Sequence, residues 1–337
     1  MATFDNIRLE KGLYTLGKSF TEALESLDPS ENYAGTSLEG LDAYQRQLKR
    51  FDIKVGGRNS DSIEKFFRTT DSAALFPEYI SRAVWQGYEE NDLLSKIIAT
   101  TTVIDGLDYR SLAVDISELE NTLTAVNEVA FIPETKVSVK DNLVELKKYG
   151  RMLTASYEAI KFQRLDLFTI ALKQIGASIA RTQFADAVNA ILGDDGSGKG
   201  ADRIEVSSLQ NFGYENLVSL WTAFDKFNLT TIIAPSALVS LILKMDEFRD
   251  SAAGLNFHAT GNLVTPFGAE LIHMPSLASD TLIGLDRSST LERVQAGPLT
   301  TEFDKLIDRQ LERASVTLTS GFAKIYNDAA KIVTEAD

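Results

Sequence analysis

The sequence predicts an α+β fold, and three observations predict it. From Asp166 to Leu192 the apolar residues recur at helical spacing on one face. Two stretches, at 112–116 and 136–140, alternate apolar with small or polar residues at a period of two, as strands do. The remaining helical and strand-like segments follow in mixed order, without the regular βαβ rhythm that builds a parallel sheet.

Residues 1–62 are polar and broken. Two short amphipathic helices are expected, Leu16–Leu27 and Leu41–Phe51, separated by the turn-rich SLDPSENYAGTS, with a further break at VGGRNS (55–60). This segment reads as an arm rather than as part of a core. From Ser62 the text turns apolar, with Phe66, Phe67, Leu75, Phe76, Ile80, Val84 and Trp85. Asp71-Ser72 suits a helix start and Pro77 a first turn.

Residues 101–155 read as strands, forming a long β-hairpin with a broad tip around ISELENTLTAVNEVAFIPET. A lone two-stranded ribbon is marginal in water, so it needs a surface in its own subunit or in a neighbouring one. Asp115, Glu118, Glu120, Glu128 and Glu134 gather at the tip. They lack the D-x-D-x-D-G spacing of a calcium loop. They read as a solvated acidic loop or as partners for Lys and Arg on another subunit. Next, TASYEAIKFQR is expected to be helical, and Asp166 caps a fresh helix that puts Phe168, Leu172, Ile175 and Ile179 on one face. After a small phase shift Phe184, Val188 and Ile191 continue it; at 1.5 Å per residue the run spans roughly 40 Å. Beyond it, ENLVSLWTAFDKF is helical, TTIIAP a buried strand, SALVSLILKMDEFRD a helix, GNLVTPFGAELIHMP strand-like and TLIGLD a strand. RASVTLT and FAKIY are expected as two strands around Ser320-Gly321, with DAAKIV closing as a short helix.

Composition excludes several classes. The 337 residues carry a formal charge of −14 and no cysteine, which excludes disulfides and thiolate chemistry. With only His258 and His273 there is little material for a zinc site or a histidine triad. An acidic chain lacks the basic face that grips nucleic acid through its phosphates. No apolar run has the length of a membrane span, and MATFDNIRLEKG has no secretory pattern, so a cytoplasmic origin is expected. There is no G-x-S-x-G and no H-E-x-x-H.

GDDGSGKG (193–200) spells most of a phosphate-binding loop. That loop follows a strand, opens a helix and carries a hydroxyl after its lysine. Here the motif follows the longest helix, Gly200 stands after Lys199, and Asp194 and Asp195 would repel a polyphosphate. We expect a flexible joint between domains, with Gly193 ending the helix and Gly193, Gly196, Gly198 and Gly200 as the hinge. No cofactor or metal is expected.

The order of elements resembles the major capsid protein of tailed bacteriophages, the Hong Kong ninety-seven fold. The resemblance is carried by TTDSAALFPEYIS (69–81), by DLFTIALKQIGASIARTQFADAVNAILGDDGSG (166–198) and by TTIIAPSALVSLILKMDEFRD (230–250). It continues through TPFGAELIHMP and TLIGLDRSSTLERV (265–294) and RASVTLTSGFAKIYNDAAKIV (313–333). It implies an arm or scaffold-like segment (1–62), a passage from arm to shell (63–100), an extended hairpin (101–153), and a spine helix with peripheral domain (154–204). An axial domain (205–300) and closing peripheral strands (301–337) complete it. It implies a structural protein, not an enzyme, that assembles with itself into pentamers and hexamers of an icosahedral virion head. The head is built in the bacterial host cytoplasm around double-stranded DNA held without sequence-specific binding. Portal and head-completion or decoration proteins are the other implied partners; no membrane is. The hairpin contacts the next subunit, here through Glu118, Glu120, Glu128, Glu134, Lys136 and Lys140. Some relatives crosslink through a hairpin lysine, for which Lys136 and Lys140 are the nearest candidates. Two alternatives are an encapsulin-like nanocompartment shell, whose family usually lacks a long N-terminal arm, and a nucleotide-dependent enzyme built on Gly193–Gly200.

Overall fold

A computed structural model describes residues 4–9, 13, 20–114, 128, 137–156, 162–193, 200–206, 209, 212–249, 263–306 and 311–335. In chain order the helices are α1 (Phe20–Leu27), α2 (Ala43–Arg50), α3 (Thr70–Ala73), α4 (Phe76–Glu90), α5 (Leu165–Leu192), α6 (Tyr214–Thr222), α7 (Ser236–Ile242) and α8 (Asp246–Arg249). The strands are β1 (Ile98–Ile104), β2 (Leu112–Val114), β3 (Val137–Val139), β4 (Lys147–Ser156), β5 (Asp202–Val206) and β6 (Thr231–Ala234). They continue with β7 (Glu270–His273), β8 (Thr281–Leu285), β9 (Leu291–Ala296), β10 (Thr300–Leu306), β11 (Leu311–Lys324) and β12 (Ala330–Glu335). The chain forms two units, each assembled from three segments: Met1–Asp92, Tyr149–Arg181 and Leu299–Leu318, and Leu93–Lys148, Thr182–Pro298 and Thr319–Asp337.

In the first unit, local chemistry sets the helix starts. The Asp42 carboxylate accepts from the Gln45 N–H at 2.8 Å and the Gln45 side chain accepts from the Asp42 N–H at 3.0 Å, a reciprocal cap on α2. Pro77 sits in the first turn of α4 as expected. The core joins Phe20, Leu24, Tyr44 and Leu48 to Ile63, Phe66, Phe76, Tyr79, Leu172 and Ile179. Before position 62, a stretch expected as an arm, Leu9, Phe20, Leu24, Ala43, Tyr44, Leu48 and Ile53 are part of this core. The reason is a polar anchor as well as apolar faces: Arg46 and Asp28 are both fully buried and paired at 2.8 Å. Arg46 also donates to the carbonyls of Asp28 and Leu41 and to Ser30 Oγ, and lies 4.4 Å over the Tyr33 ring. A buried ion pair persists only when its remaining donors are satisfied in this way.

Helices α4 and α5 meet backbone to backbone. A Cβ on Gly176 would lie 2.0 Å from the Val84 carbonyl oxygen, and one on Gly87 would lie 2.1 Å from that of Lys173. The Tyr79 hydroxyl donates to the Leu165 carbonyl at 2.8 Å beside Thr169, and Lys173 pairs with Glu90 at 2.7 Å. Helix α5 has 28 residues, a length of about 42 Å. Its Leu172 and Ile179 belong to the core of the first unit; its Phe184, Val188 and Ile191 belong to the second. The phase shift in the sequence falls where the helix changes cores. The helix starts at Leu165, beside the expected cap at Asp166; of TASYEAIKFQR, expected as helical, Thr154–Ser156 instead extend β4, and residues 157–161 lie outside the described residues. In the first unit β10 pairs antiparallel with β11 from Thr300↔Thr317 to Leu306↔Leu311.

In the second unit β9 pairs antiparallel with the end of β11 and parallel with β1. Another sheet runs β5-β12-β8-β6-β7. Helices α6 and α7 cover it with Leu217, Leu220, Leu238 and Ile242 against Ile232, Leu271, Leu282 and Val333. Two expectations are corrected here. β11 runs unbroken through Ser320-Gly321, since β10 and then β9 supply partners along its length. DAAKIV is not a closing helix: β12 lies between β5 and β8, so its backbone is paired on both edges within the sheet that carries most of the segment expected as axial.

Candidate functional site

The expected hairpin is present at its base. β2 and β3 pair antiparallel, Leu112 opposite Val139 and Val114 opposite Val137, as a two-stranded sheet of their own. The Lys140 N–H donates to the Ser111 carbonyl and the Val144 N–H to that of Tyr109, both at 2.9 Å. This base is apolar and open to solvent: Val103, Leu107, Leu112, Val139 and Leu143 are all at least half exposed, Leu107 at 70%. Of these, Leu112 and Val139 stand opposite each other on the ribbon itself.

The base belongs to the second unit. Val144, Val294 and Ala323 form a small core flanked by Ile104, Tyr109 and Leu146. Above it, Glu292 on β9, only 6% exposed, accepts hydrogen bonds from three hydroxyls. Thr102 and Tyr109 donate to its Oε1 at 2.5 and 2.7 Å, and Ser111 donates to its Oε2 at 2.5 Å. Burial raises the Tyr109 phenol above its ordinary range, and the hydrogen bond to the Glu292 carboxylate raises it further. Lys140, expected to reach a neighbouring subunit, lies with its Nζ 2.5 Å from the Lys324 carbonyl of its own chain. Glu128 is exposed. Glu118, Glu120, Glu134 and Lys136 lie outside the described residues.

The glycine loop has a structural reason for its last glycine. A Cβ on Gly200 would lie 2.9 Å from the Leu192 carbonyl oxygen, and the Ala201 N–H donates to the Ile191 carbonyl at 3.1 Å. The loop thus closes on the end of α5. There Lys324, fully buried, donates from Nζ to the Gly193 carbonyl at 2.9 Å, a cation at a helix C-terminus. Gly193 and Gly200 both belong to the second unit, and the division between units falls instead at Arg181/Thr182 within α5. Gly196 and Gly198 lie outside the described residues. His273 shares a 2.8 Å hydrogen bond with Ser236 Oγ, and His258 lies outside the described residues. Among the described residues no group of three or more acidic, histidine or cysteine side chains is placed to hold a metal ion. No described helix is long and apolar enough to cross a membrane.

Sequence reading missed Thr102, Tyr109, Ser111, Glu292 and Lys324. Glu292 reads as an ordinary polar strand position, and its hydroxyl partners lie far away in the chain. None carries a local signal.

A family described as phage capsid protein matches residues 140–327, more than half of the chain. The chain belongs to that family. This capsid protein is a structural shell subunit and a component of the virion. Its fold is similar to that of a virus-like particle subunit from Pyrococcus furiosus, at 13% identity over 76% of this chain and 98% of that one, TM-score 0.50. It is similar to the capsid of a native GTA particle, at 14% identity over 71% and 89% of the two chains, TM-score 0.52. It is also similar to Gordonia phage Cozz, at 14% identity over 73% and 87%, TM-score 0.50. At these identities the likeness is one of fold. No curated protein matches the chain.

Proposed function

We propose that this capsid protein is the major shell subunit of a tailed-phage head, assembling as pentamers and hexamers into an icosahedral shell around double-stranded DNA. The observation that carries the reading is the hairpin base, a two-stranded sheet of its own among the described strands, with Leu112 and Val139 on it and Val103, Leu107 and Leu143 beside it at least half exposed. Rings close through heterologous contacts, in which one patch of a subunit meets a different patch of the next. The hairpin is one such patch. Between its strands the sequence carries Asp115, Glu118, Glu120, Glu128 and Glu134 and only one cation, Lys136, so its tip suits a basic or neutral surface on a neighbour. The formal charge of −14 fits a container that holds DNA without gripping it. Portal and head-completion or decoration proteins complete such a head, and assembly takes place in the bacterial host cytoplasm. In this reading the sheet β5-β12-β8-β6-β7 with its helices serves as the axial domain. The family match favours a phage head over a nanocompartment shell.

Electron microscopy of the purified protein across protein and salt concentrations tests the reading, with a variant lacking residues 117–132 beside it. Wild-type protein is expected to form rings or closed shells, and the variant a soluble folded subunit that forms none. Wild-type protein that stays monomeric or dimeric throughout overturns the shell reading. Closed shells of normal diameter from the variant overturn the role given to the hairpin.

A further inference from the structure

Glu292 is a buried carboxylate whose three hydroxyl partners come from different places along the hairpin's root: Thr102 within β1, Tyr109 in the connection and Ser111 just before β2. Ser111 is itself 2% exposed. Three O–H donors converge on its two carboxylate oxygens, which makes this one side chain a hub for three segments of the root. β9, which carries Glu292, is fixed on both sides, by β1 and by β11. The ribbon is not: β2 and β3 pair only with each other among the described strands. Its direction is therefore set where the Tyr109–Ser111 segment is tied down.

We propose that Glu292 is the positioning residue of the assembly arm: the carboxylate and its three hydroxyls form a clasp that sets the direction in which the hairpin leaves the subunit. The clasp rests on the reading of the hairpin as an assembly contact. Lys140 and the small core at Val144, Val294 and Ala323 support the same root, and the carboxylate binds β1, the connection and the lead into β2 at one point. A ribbon released at this point stays attached and paired, yet points in many directions. Neighbouring subunits then meet it in the wrong place.

The test is Glu292→Gln, with Tyr109→Phe as a milder second variant that removes one donor. Glutamine keeps the shape but offers one acceptor oxygen and turns the other position into a donor facing a hydroxyl. Two measurements are made on the full chain. Hydrogen exchange is followed at the Lys140 and Val144 amides, which hold the ribbon root, and at the β8–β12 amides of the other sheet. In Glu292→Gln the root amides exchange about tenfold faster or more, the scale of leaving a buried hydrogen-bonding group unsatisfied, while the β8–β12 amides hold. Tyr109→Phe gives a smaller rise at the same amides, and it carries the test if Glu292→Gln fails to fold. The second measurement is electron microscopy, where Glu292→Gln loses closed shells in favour of open or irregular assemblies although its subunit is folded. Unchanged exchange at the root, or acceleration spread evenly over both sheets, overturns the clasp. Faster root exchange with normal shells overturns its positioning role. Wild-type protein that forms no shell counts against the shell reading instead, and the exchange data still decide the clasp.

Discussion

Replacing Gly176 by alanine tests the helix crossing on which the first unit is built. The new methyl would lie 2.0 Å from the Val84 carbonyl oxygen and 2.6 Å from the Tyr88 nitrogen. Both are backbone atoms, so no side chain can rotate away and α4 and α5 must part by roughly an ångström in an interior that is close-packed. Overpacking typically costs about 1–3 kcal/mol, and a backbone clash belongs at the top of that range. Alanine returns about 1 kcal/mol through helix propensity. The net loss is about 2 kcal/mol, a fall in Tm of about 4–8 °C for a unit of this size. Calorimetry of the subunit reads it, with exposed Gln174→Ala on the same helix as a control expected within about 0.5 kcal/mol of wild type. Gly87→Ala should cost a similar amount, and the double variant less than the sum, since one separation relieves both clashes. A Gly176→Ala subunit as stable as wild type, or more so, would refute the crossing.

Other outcomes follow from the same structure. Burial pushes the Tyr79 phenol up to about 12, with the Asp166 charge adding to the rise and the Thr169 hydroxyl opposing it. An unfolded tyrosine titrates near 10, so the folded state holds the proton better; this contribution is complete below about pH 10 and is lost towards pH 12, by up to about 3 kcal/mol. Denaturation across pH 9–12 should fall more steeply for wild type than for Tyr79→Phe, and parallel curves would count against it. Arg46→Met leaves the buried Asp28 carboxylate without its guanidinium and should cost about 3–5 kcal/mol. Limited proteolysis should then cut faster within α1 and α2 than in wild type; equal rates in both would mean the segment is held some other way.

Much of the fold was legible because periodicity is local. The helix α5, the strands at 112–114 and 137–139, the buried strand at 231–234 and the proline-led start of α4 each carry their pattern within a few residues of sequence. At the glycine loop the structure adds a packing reason for Gly200 that the sequence does not show. What was not legible depends on partners far away in the chain. The amphipathic helices α1 and α2 show an apolar face, but not that it joins one core with residues of α4 and α5 or that Asp28 waits for Arg46. DAAKIV is alanine-rich and reads as helix, yet β5 and β8 bond both its edges and make it a strand.

The sequence by itself determined the class of this protein: α+β, acidic, without cysteine, with a spine helix, a hairpin and an element order like that of a phage capsid subunit. Those features rest on short-range patterns of side-chain period and on charge. Only the tertiary structure decided that Phe20, Leu24, Tyr44 and Leu48 of the N-terminal segment join a core, that α5 serves two cores in turn, and that Glu292 meets the hydroxyls of Thr102, Tyr109 and Ser111. Each of these is a meeting of residues distant in sequence, and burial, not local preference, sets what such a meeting is worth.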